Sequence, residues 1–370
     1  MKKSEKIRIV FTGGHAATTA ISVVEEILRR GLNWKIFWIG AEAGVEGQAV
    51  STLESEALPS LGVSLYSIKA GRLQRKFSFW TIPSLLKIPL GFFQAFALLI
   101  KIKPKLVLSF GAYTAFPVVV SAYILGIPVV VHEQTVAAGR ANRASGFFAR
   151  KIALARKESQ KFFPGAKCVV VGNPILSDIA KIRPKRSIGE PPTVFITCGS
   201  RGSQIINDAV DGTLERLLPA YRIIHQTGPI DYPNFLKRKG SLSGELSENY
   251  IVESRIDPLK IATVYTQADI VIARAGANTV SEIITTRRPS ILIPIPWSYL
   301  DEQTKNAQAA QKLGIAKIVT QDSLTPASLL EAVGEVRRDW EKMAGSSLKK
   351  ENPDTQASAR LVKLLEAVLG

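Results

Sequence analysis

The chain has 370 residues, of which 46% are hydrophobic and 21% charged, a composition that excludes an intrinsically disordered protein and favours two globular domains. The formal net charge of +17 predicts a polyanionic partner, either nucleic acid or anionic lipid. The two cysteines, Cys168 and Cys198, form neither a disulfide framework nor a zinc-binding pattern, as expected in a reducing compartment.

The first half of the chain alternates short apolar strands with helices. Residues 6–11 predict a buried strand, residues 17–30 an amphipathic helix and residues 34–39 a second strand. Because residues 6–11 run directly into glycines, the basic N-terminus is interpreted as this strand and not as a targeting segment. Further strands are predicted at residues 106–109, 128–132 and 151–155. Short apolar runs between helices are typical of a parallel sheet covered on both faces.

The same pattern restarts in the second half, after a proline-rich linker at residues 174–192. Strands are predicted at residues 193–197, 221–226, 250–252, 270–273 and 290–293, and an amphipathic helix at residues 356–369. We therefore predict an α/β protein with two Rossmann-like domains, 1–170 and 171–350, and an interdomain cleft. The C-terminal helix, within residues 356–370, is predicted to pack back on the first domain.

A glycine turn follows the first strand and consists of Thr12, Gly13, Gly14 and His15. Glycines at a strand-to-helix turn let the backbone approach a ligand, and the helix N-terminus attracts negative charge. His15 lies at the carboxyl end of the strand, where open α/β sheets bind ligands, so it is a candidate general base. A structural role for this histidine, and an ordinary tight turn for the glycines, are the alternatives.

The loop at residues 198–203 is the matching turn of the second domain. It combines glycines, two hydroxyls that include Ser200, and a guanidinium ahead of a helix, a set of groups that suits a diphosphate. It has neither the Walker ending nor the dinucleotide fingerprint, and a plain turn with a solvated arginine is the alternative.

Two further polar segments follow strands of the second domain. In residues 274–282, small residues permit close approach of a ligand and Glu282 can present a carboxylate to a pair of sugar hydroxyls. In residues 301–306, Gln303 belongs to a cluster of groups that recognise hydroxyls or cap a helix. Exposed charge is the alternative for Glu282. No Asp-x-Asp pair and no His/Cys cluster occurs, so the sequence predicts no metal and no cofactor.

A basic and apolar segment at residues 72–104 predicts contact with a membrane surface. Residues 1–170 hold 23 lysines and arginines against 9 acidic residues, which is +14 of the +17. The longest uncharged run, residues 88–100, is too short to span a bilayer, so the segment is expected to lie in the interface. Part of it, near residues 92–100, is expected to be a buried helix. Nucleic acid is disfavoured because aliphatic residues outnumber stacking aromatics. The predicted membrane residues are Arg72, Arg75, Lys76, Phe77, Phe79, Trp80, Leu85 and Lys87.

Taken in order, these segments resemble the MurG family of glycosyltransferases. The motifs that carry the resemblance cover nearly the whole chain: TGGH at 12–15, FGAY at 110–113, GIPVVVHEQT at 126–135, VGNP at 171–174, CGSRGS at 198–203, RAGANTVSE at 274–282 and EQTKNA at 302–307. The resemblance implies a GT-B fold and inverting, metal-independent transfer of N-acetylglucosamine from its UDP form to the undecaprenyl-linked muramyl-pentapeptide of peptidoglycan synthesis. It also implies peripheral attachment to the cytoplasmic face of the cell membrane.

The resemblance assigns roles by position. Thr12, Gly13 and Gly14 face the donor, Ser200 contacts the diphosphate and the backbone of Ile256 meets uracil. Glu282 holds the ribose and Gln303 the sugar hydroxyls. His15 is the implied base, with Glu133 as the second candidate, because it follows another strand end. The residues implied to line the phosphates are Ala277, Asn278, Thr279, Val280 and Ser281.

The chain departs from the family pattern at several donor contacts. Val10 and Phe11 replace two glycines, Thr135 replaces the asparagine of HEQN, Leu176 stands at the usual arginine and Glu302 precedes Gln303. Thr135 is kept as a candidate substrate residue. The alternatives are another GT-B enzyme that glycosylates a membrane lipid, a UDP-sugar epimerase of the same fold, and a degenerate binding scaffold. An epimerase needs no membrane segment, so residues 72–105 count against that reading.

Overall fold

A computed structural model describes residues 5–14, 16–41, 52–69, 71, 81–199, 201–346 and 352–370. The chain forms two compact units, one of residues 1–177 with 353–370 and the other of residues 178–352. The first unit ends after Ser177, later than the predicted residue 170. The strand Cys168–Val170 completes its sheet, and the segment that follows, through Leu176, packs into the same unit. A short α-helix, Ser177–Ala180, lies at the junction.

The first unit is a parallel sheet of seven strands in the order β3-β2-β1-β4-β5-β6-β7. All the strands are parallel, and successive strands are added outward in opposite directions from β1 and from β4, so the topological switch point lies between these two strands. The strands are β1 Ile7–Thr12, β2 Trp34–Ala41, β3 Ser64–Ile68, β4 Leu106–Ser109, β5 Val129–Glu133, β6 Lys151–Leu154 and β7 Cys168–Val170. The helices are α1 Ala17–Arg29, α2 Leu53–Ala57, α3 Thr81–Ile102, α4 Ala115–Ile124 and α5 Arg140–Phe148, and the junction helix is α6.

Helices α3, α4 and α5 lie side by side on one face of this sheet and bury an apolar core. Ala95 and Leu99 of α3 pack with Val118 of α4 and Val10 of β1. Since side chains alternate along a strand, Ile9 and Phe11 serve the opposite face. The expected buried helix near residues 92–100 is thus part of α3. No helix within the described residues is both long enough and apolar enough to cross a membrane.

The C-terminal segment returns to the first unit, where its last helix, α16 Ala357–Leu369, packs against α1. Arg30 donates to the Glu366 carboxylate at 2.8 Å. The buried Asp354 carboxylate accepts two hydrogen bonds of 2.6 Å from Arg156, which lies on the loop after β6. A paired and hydrogen-bonded carboxylate tolerates burial, so this ion pair fixes the entry of the segment.

The second unit is a parallel sheet of six strands in the order β10-β9-β8-β11-β12-β13, with its switch point between β8 and β11. The strands are β8 Thr193–Thr197, β9 Arg222–Gln226, β10 Tyr250–Glu253, β11 Ile270–Ala273, β12 Ser290–Leu292 and β13 Ala316–Ile318. The helices are α7 Gln204–Asp211, α8 Leu214–Leu217, α9 Tyr232–Gly240, α10 Gly244–Glu248, α11 Ile261–Gln267, α12 Ala277–Thr286, α13 Glu302–Lys312, α14 Pro326–Arg338 and α15 Trp340–Ser346.

The predicted strands agree with the structure to within one or two residues at each end. Three edge strands, β3, β7 and β13, were not predicted. Their side chains are mostly half-buried, and β7 and β13 are only three residues long, so neither strand length nor apolar periodicity marks them in the sequence.

Candidate functional site

The glycine turn after β1 lies at the switch point of the first sheet. Thr12 ends β1, is fully buried and leaves its hydroxyl oxygen without a hydrogen-bond partner among the described residues. The carbonyl of Gly13 accepts a hydrogen bond from the Thr114 hydroxyl at 3.0 Å, which joins this turn to the loop after β4. A Cβ on Gly14 would lie 3.0 Å from the Cβ of Ala112. The two loops therefore pack closely and leave little room for larger side chains.

The loop after β4 contains a strained residue. Ala112 has φ of 71°, a left-handed conformation that costs a non-glycine residue about 1 kcal/mol or more. Such strain persists where the surroundings enforce it, and here Gly111 and Ala112 are held between the turn after β1 and Asn142 of α5. His15, the candidate base, lies outside the described residues.

Glu133 ends β5 and is buried, with 2% of its surface exposed. One carboxylate oxygen accepts from the Thr135 backbone N–H at 2.9 Å and lies 2.8 Å from the Thr135 hydroxyl. The other accepts from the Asn142 amide at 2.8 Å and from the Gly139 N–H at 3.3 Å. Burial raises the pKa of Glu133, while these donors oppose the rise.

Both oxygens of Glu133 are thus engaged by the loop between β5 and α5 and by Asn142 in the first turn of α5. An unengaged carboxylate is what a general base needs, whereas this arrangement holds the loop in one conformation. Thr135, predicted as a substrate residue, is half-buried and bonded within the same loop. His132, which precedes Glu133, is fully buried, and burial lowers its pKa to about 4.

In the second unit, the loop after β8 packs against the loop after β9 at two glycines. Gly202 and Gly228 have φ of 84° and 85°, and a Cβ on Gly228 would lie 2.5 Å from the Cα of Gly202. The amide of Gln226 donates to the carbonyl of Gly199 at 2.9 Å. These contacts fix the backbone of the loop on both sides of Ser200, which itself lies outside the described residues.

A buried network of polar side chains contacts the loop after β9, against which the loop after β8 packs. Asn207 of α7 donates to the Thr227 carbonyl at 2.9 Å, and its side-chain oxygen lies 3.1 Å from Nε2 of His225. Nδ1 of His225 lies 2.9 Å from the Tyr250 hydroxyl. Burial lowers the pKa of His225 to about 3, so this histidine is neutral and structural. The sequence patterns did not single out these residues.

Arg274 joins three loops at the carboxyl edge of the second sheet. It is the first residue after β11, and its guanidinium donates to the Ser203 hydroxyl at 2.8 Å and to the Ile293 carbonyl at 3.2 Å. Burial lowers the pKa of Arg274. Its motif was recognised in the sequence, but the side chain was not proposed as a site residue.

Helix α12 begins at this edge with Gly276 as its N-cap. Gly276 has no side chain to cap this helix start, and the backbone N–H groups of the first turn point toward the carboxyl edge. The first turn supplies the predicted phosphate-lining residues Ala277, Asn278, Thr279, Val280 and Ser281. Of these, Val280 and Ser281 are buried and the first three are half-buried.

Glu282, on the second turn of α12, is buried rather than an exposed helix charge, with 8% of its surface exposed. Its Oε2 accepts a hydrogen bond of 3.0 Å from the Tyr265 hydroxyl of α11. Burial raises the pKa of Glu282 to about 7. A buried carboxylate with one hydrogen bond from the described residues is energetically costly, and carboxylates of this kind cluster at binding and catalytic sites.

Gln303 lies on the first turn of α13, the neighbour of α12. Its side-chain oxygen accepts a hydrogen bond from the Ile295 N–H at 3.1 Å. The NH₂ group of the same amide therefore supplies the two donors with which Gln303 can bind a ligand. The preceding loop contains two consecutive left-handed residues, Leu300 and Asp301, with φ of 52° and 53°. The Asn306 amide donates to the Ala275 carbonyl at 3.1 Å, which connects α13 to the start of α12.

The remaining predicted residues are Ile256 and the membrane residues. Ile256 lies in the loop after β10, whose Ser254 carbonyl accepts from the Gly228 N–H at 3.1 Å, so this loop adjoins the loops already described. Leu85 and Lys87 lie in α3, and nothing is described of their side chains. The other predicted membrane residues, Arg72, Arg75, Lys76, Phe77, Phe79 and Trp80, lie outside the described residues. No group of three potential metal ligands occurs in the ranges that the structure covers.

Comparison with known proteins finds a family match for each half of the chain. The model of the glycosyltransferase family 28 N-terminal domain matches residues 10–154, and that of the C-terminal domain matches residues 193–363. A protein of Clostridium kluyveri named UDP-N-acetylglucosamine–N-acetylmuramyl-(pentapeptide) pyrophosphoryl-undecaprenol N-acetylglucosamine transferase is 32% identical, over 97% of this chain and 99% of that protein.

Two solved structures show a similar fold. MurG of Acinetobacter baumannii superposes with a TM-score of 0.70 at 24% identity, over 98% of this chain and 99% of the other. The UDP-GlcNAc 2-epimerase of Neisseria meningitidis superposes with a TM-score of 0.63 at 14% identity, over 97% and 99%. At these identities the superpositions establish the fold and do not distinguish a transferase from an epimerase.

Proposed function

The chain belongs to glycosyltransferase family 28 and, within it, to the MurG family, and on that premise we propose that it transfers N-acetylglucosamine from UDP-N-acetylglucosamine to muramyl-pentapeptide pyrophosphoryl-undecaprenol. This reaction converts lipid I into lipid II in peptidoglycan synthesis. The predicted GT-B fold and glycosyltransferase activity class are confirmed. The observation that carries the proposal is the 32% identity to the named transferase along 97% of the chain.

We assign the UDP-sugar to the carboxyl edge of the second sheet. The start of α12 and the loop after β8 offer backbone N–H groups to the diphosphate, and Arg274 lies between them. Glu282 is assigned to the ribose, Gln303 to the sugar hydroxyls, and the backbone of Ile256 to uracil. These contacts use fixed positive groups for the departing diphosphate, so we expect transfer without a divalent metal.

For the chemistry, we assign the role of base to His15 and the role of loop organiser to Glu133. The acceptor hydroxyl oxygen bonds to the anomeric carbon as the bond from that carbon to the diphosphate oxygen breaks. The hydroxyl proton passes to an imidazole nitrogen of His15. UDP departs with the bonding electrons. Glu133 is less suited to the proton transfer because both its oxygens already accept hydrogen bonds.

We further propose that the first unit binds an anionic membrane surface peripherally, on the cytoplasmic side. Support comes from the +14 charge of residues 1–170 and from apolar side chains exposed on adjacent helices. Phe93 of α3 is 72% exposed and Phe147 of α5 is 73% exposed. Tyr123 and Ile124, at the end of α4 between them, are also exposed.

Vesicle sedimentation tests this attachment. Phe93→Ser combined with Ile124→Ser is expected to reduce binding to vesicles that contain anionic lipid, and high salt to reduce it further. Ile230→Ser is the matched control, because Ile230 is equally exposed but lies in the second unit. Equal loss with the control variant, or no loss with the double variant, contradicts the proposed surface.

Labelled UDP-N-acetylglucosamine, given with and without lipid I, tests the reaction itself. A transferase releases UDP and labels the lipid only when the acceptor is present. A 2-epimerase converts the UDP-sugar without any acceptor, and a binding scaffold does neither. Transfer to a different membrane lipid, with lipid I inert, would favour the alternative acceptor class.

A further inference from the structure

A buried tyrosine contacts the carboxylate of Glu282 from inside the second unit. Tyr265 lies on α11 with 1% of its surface exposed, and its hydroxyl donates to Oε2 of Glu282 at 3.0 Å. The two residues lie on different helices, and only Glu282 belongs to a motif that the sequence patterns identified. Tyr265 is too deeply buried to contact a bound ligand, so any role in binding must act through Glu282.

The position of Tyr265 is fixed at both ends of the residue. Its ring meets Phe195 of β8 edge to face, with ring centroids 5.6 Å apart. Its backbone carbonyl accepts from Nε of Arg288 at 2.9 Å, and the same guanidinium donates to the Thr286 carbonyl at 2.7 Å. Arg288 therefore ties the C-terminal end of α11 to the C-terminal end of α12 and holds Tyr265 and Glu282 in register.

The hydrogen bonding of the Glu282 carboxylate is incomplete. Oε2 has the Tyr265 hydroxyl as its donor, whereas Oε1 accepts no hydrogen bond from the residues that the structure describes. A carboxylate can accept about four hydrogen bonds. A buried carboxylate that accepts fewer loses free energy relative to one in water. A pair of neighbouring hydroxyls, as in a ribose, would supply the missing donors.

We infer that Tyr265 is a positioning residue for the nucleotide, whose hydroxyl holds the Glu282 carboxylate in the orientation that accepts hydrogen bonds from the ribose. A carboxylate fixed in this way discriminates ribose from deoxyribose better than one free to rotate, because a missing hydroxyl leaves a buried acceptor unsatisfied. This inference rests on the proposed function, since it assumes a UDP-sugar at this site.

Calorimetric titration with UDP and with 2′-deoxy-UDP measures this discrimination directly. Tyr265→Phe keeps the ring and its contact with Phe195 and removes only the hydroxyl. It is expected to lower the ratio of the two dissociation constants by roughly threefold to tenfold, toward the ratio of Glu282→Gln. Tyr221→Phe is the matched control, because it also removes the hydroxyl of a buried tyrosine in the same unit and keeps the ring that Arg337 contacts. The control is expected to keep the wild-type ratio.

The pH dependence of UDP binding separates positioning from a general loss of stability. Burial raises the pKa of Glu282 to about 7, and the Tyr265 hydrogen bond lowers it. Removing the hydroxyl is therefore expected to move the pH midpoint of UDP binding upward. Measurement relative to Glu282→Gln cancels the ionisation of UDP itself. Two charged groups lie near this pair in the described residues. Arg288 donates to the Tyr265 carbonyl and not to Glu282, and Asp269 raises the pKa of Arg288. The hydrogen bond to the Glu282 carboxylate comes from Tyr265.

The outcomes are distinguishable. If the wild-type protein binds no UDP, the proposed function fails and the inference fails with it. If the wild type binds UDP and Tyr265→Phe keeps both the discrimination ratio and the pH midpoint, only the inference is overturned. Should Tyr265→Phe not fold, 3-fluorotyrosine at position 265 provides a second variant. As a stronger donor it is expected to lower the pH midpoint, and an unchanged midpoint overturns the inference.

Discussion

Replacement of Glu133 by glutamine distinguishes a catalytic base from a loop organiser. The carboxylate accepts from the Thr135 N–H, the Asn142 amide and the Gly139 N–H, and lies beside the Thr135 hydroxyl. Glutamine keeps one oxygen and replaces the other by an NH₂ group. If the oxygen stays toward Thr135, the new amide faces the donors of Asn142 and Gly139, and two hydrogen bonds to a charged acceptor are lost.

The magnitude follows from these contacts. A hydrogen bond to a charged group contributes about 1.5–3 kcal/mol. Turning the Asn142 amide over forms a bond with the new NH₂ group but gives up the 3.3 Å bond to the His132 carbonyl, so the loss is about that of one strong hydrogen bond to the charged carboxylate. We therefore expect Glu133→Gln to lose roughly 1.5–3 kcal/mol of stability, or roughly 3–10 °C in Tm for a unit of this size.

Thermal unfolding and steady-state transfer to lipid I are the two assays. In the folded variant, kcat is expected to stay within about tenfold of the wild type, because the proton acceptor is still present. An unchanged Tm together with a loss of kcat greater than about 100-fold would refute this reasoning and identify Glu133 as the base.

The other predictions concern the base, the donor site and the metal. His15→Ala is expected to lower kcat by roughly 10²–10⁴-fold while UDP binding survives, as single-turnover kinetics and calorimetry can measure; near-normal turnover returns His15 to a structural role. Glu282 has a folded pKa of about 7, above its ordinary 4.5, so its ionisation costs stability as pH rises between these values. Glu282→Gln is therefore expected to raise Tm at pH 8 and to change it little at pH 4, with a gain on the order of 3 kcal/mol at most; an equal shift at both pH values contradicts the assignment. Arg274→Leu should weaken UDP binding by about tenfold or more, whereas Ser203→Ala, which removes only the partner hydroxyl, should weaken it less; the reverse order would exclude Arg274 from the diphosphate site. Transfer should continue in excess chelator, and full dependence on magnesium would contradict the proposed stabilisation of UDP.

Much of the fold can be predicted from the sequence because the central strands of a parallel sheet are buried on both faces. The run Ile270–Ala273 is apolar throughout, as is the start of Val129–Glu133, and glycine turns follow or flank such strands at the ligand edge. Motif order along the chain was enough to identify the family. Edge strands such as Ala316–Ile318 cannot be predicted in this way because they are short and bury few side chains. Their hydrogen-bond partners also lie elsewhere in the sequence.

The sequence by itself determined which residue types stand at the strand ends, and hence the fold class, the family and the candidate list that includes Glu133 and Glu282. Only the tertiary structure decided what each candidate can do. It engages both oxygens of Glu133 with its own loop and with Asn142 of α5, and it buries Glu282 against Tyr265, a residue from another helix. The physical reason is that hydrogen bonding and desolvation depend on neighbours in space: the guanidinium of Arg274 meets Ser203 across 71 positions of sequence, a distance over which no local pattern carries information.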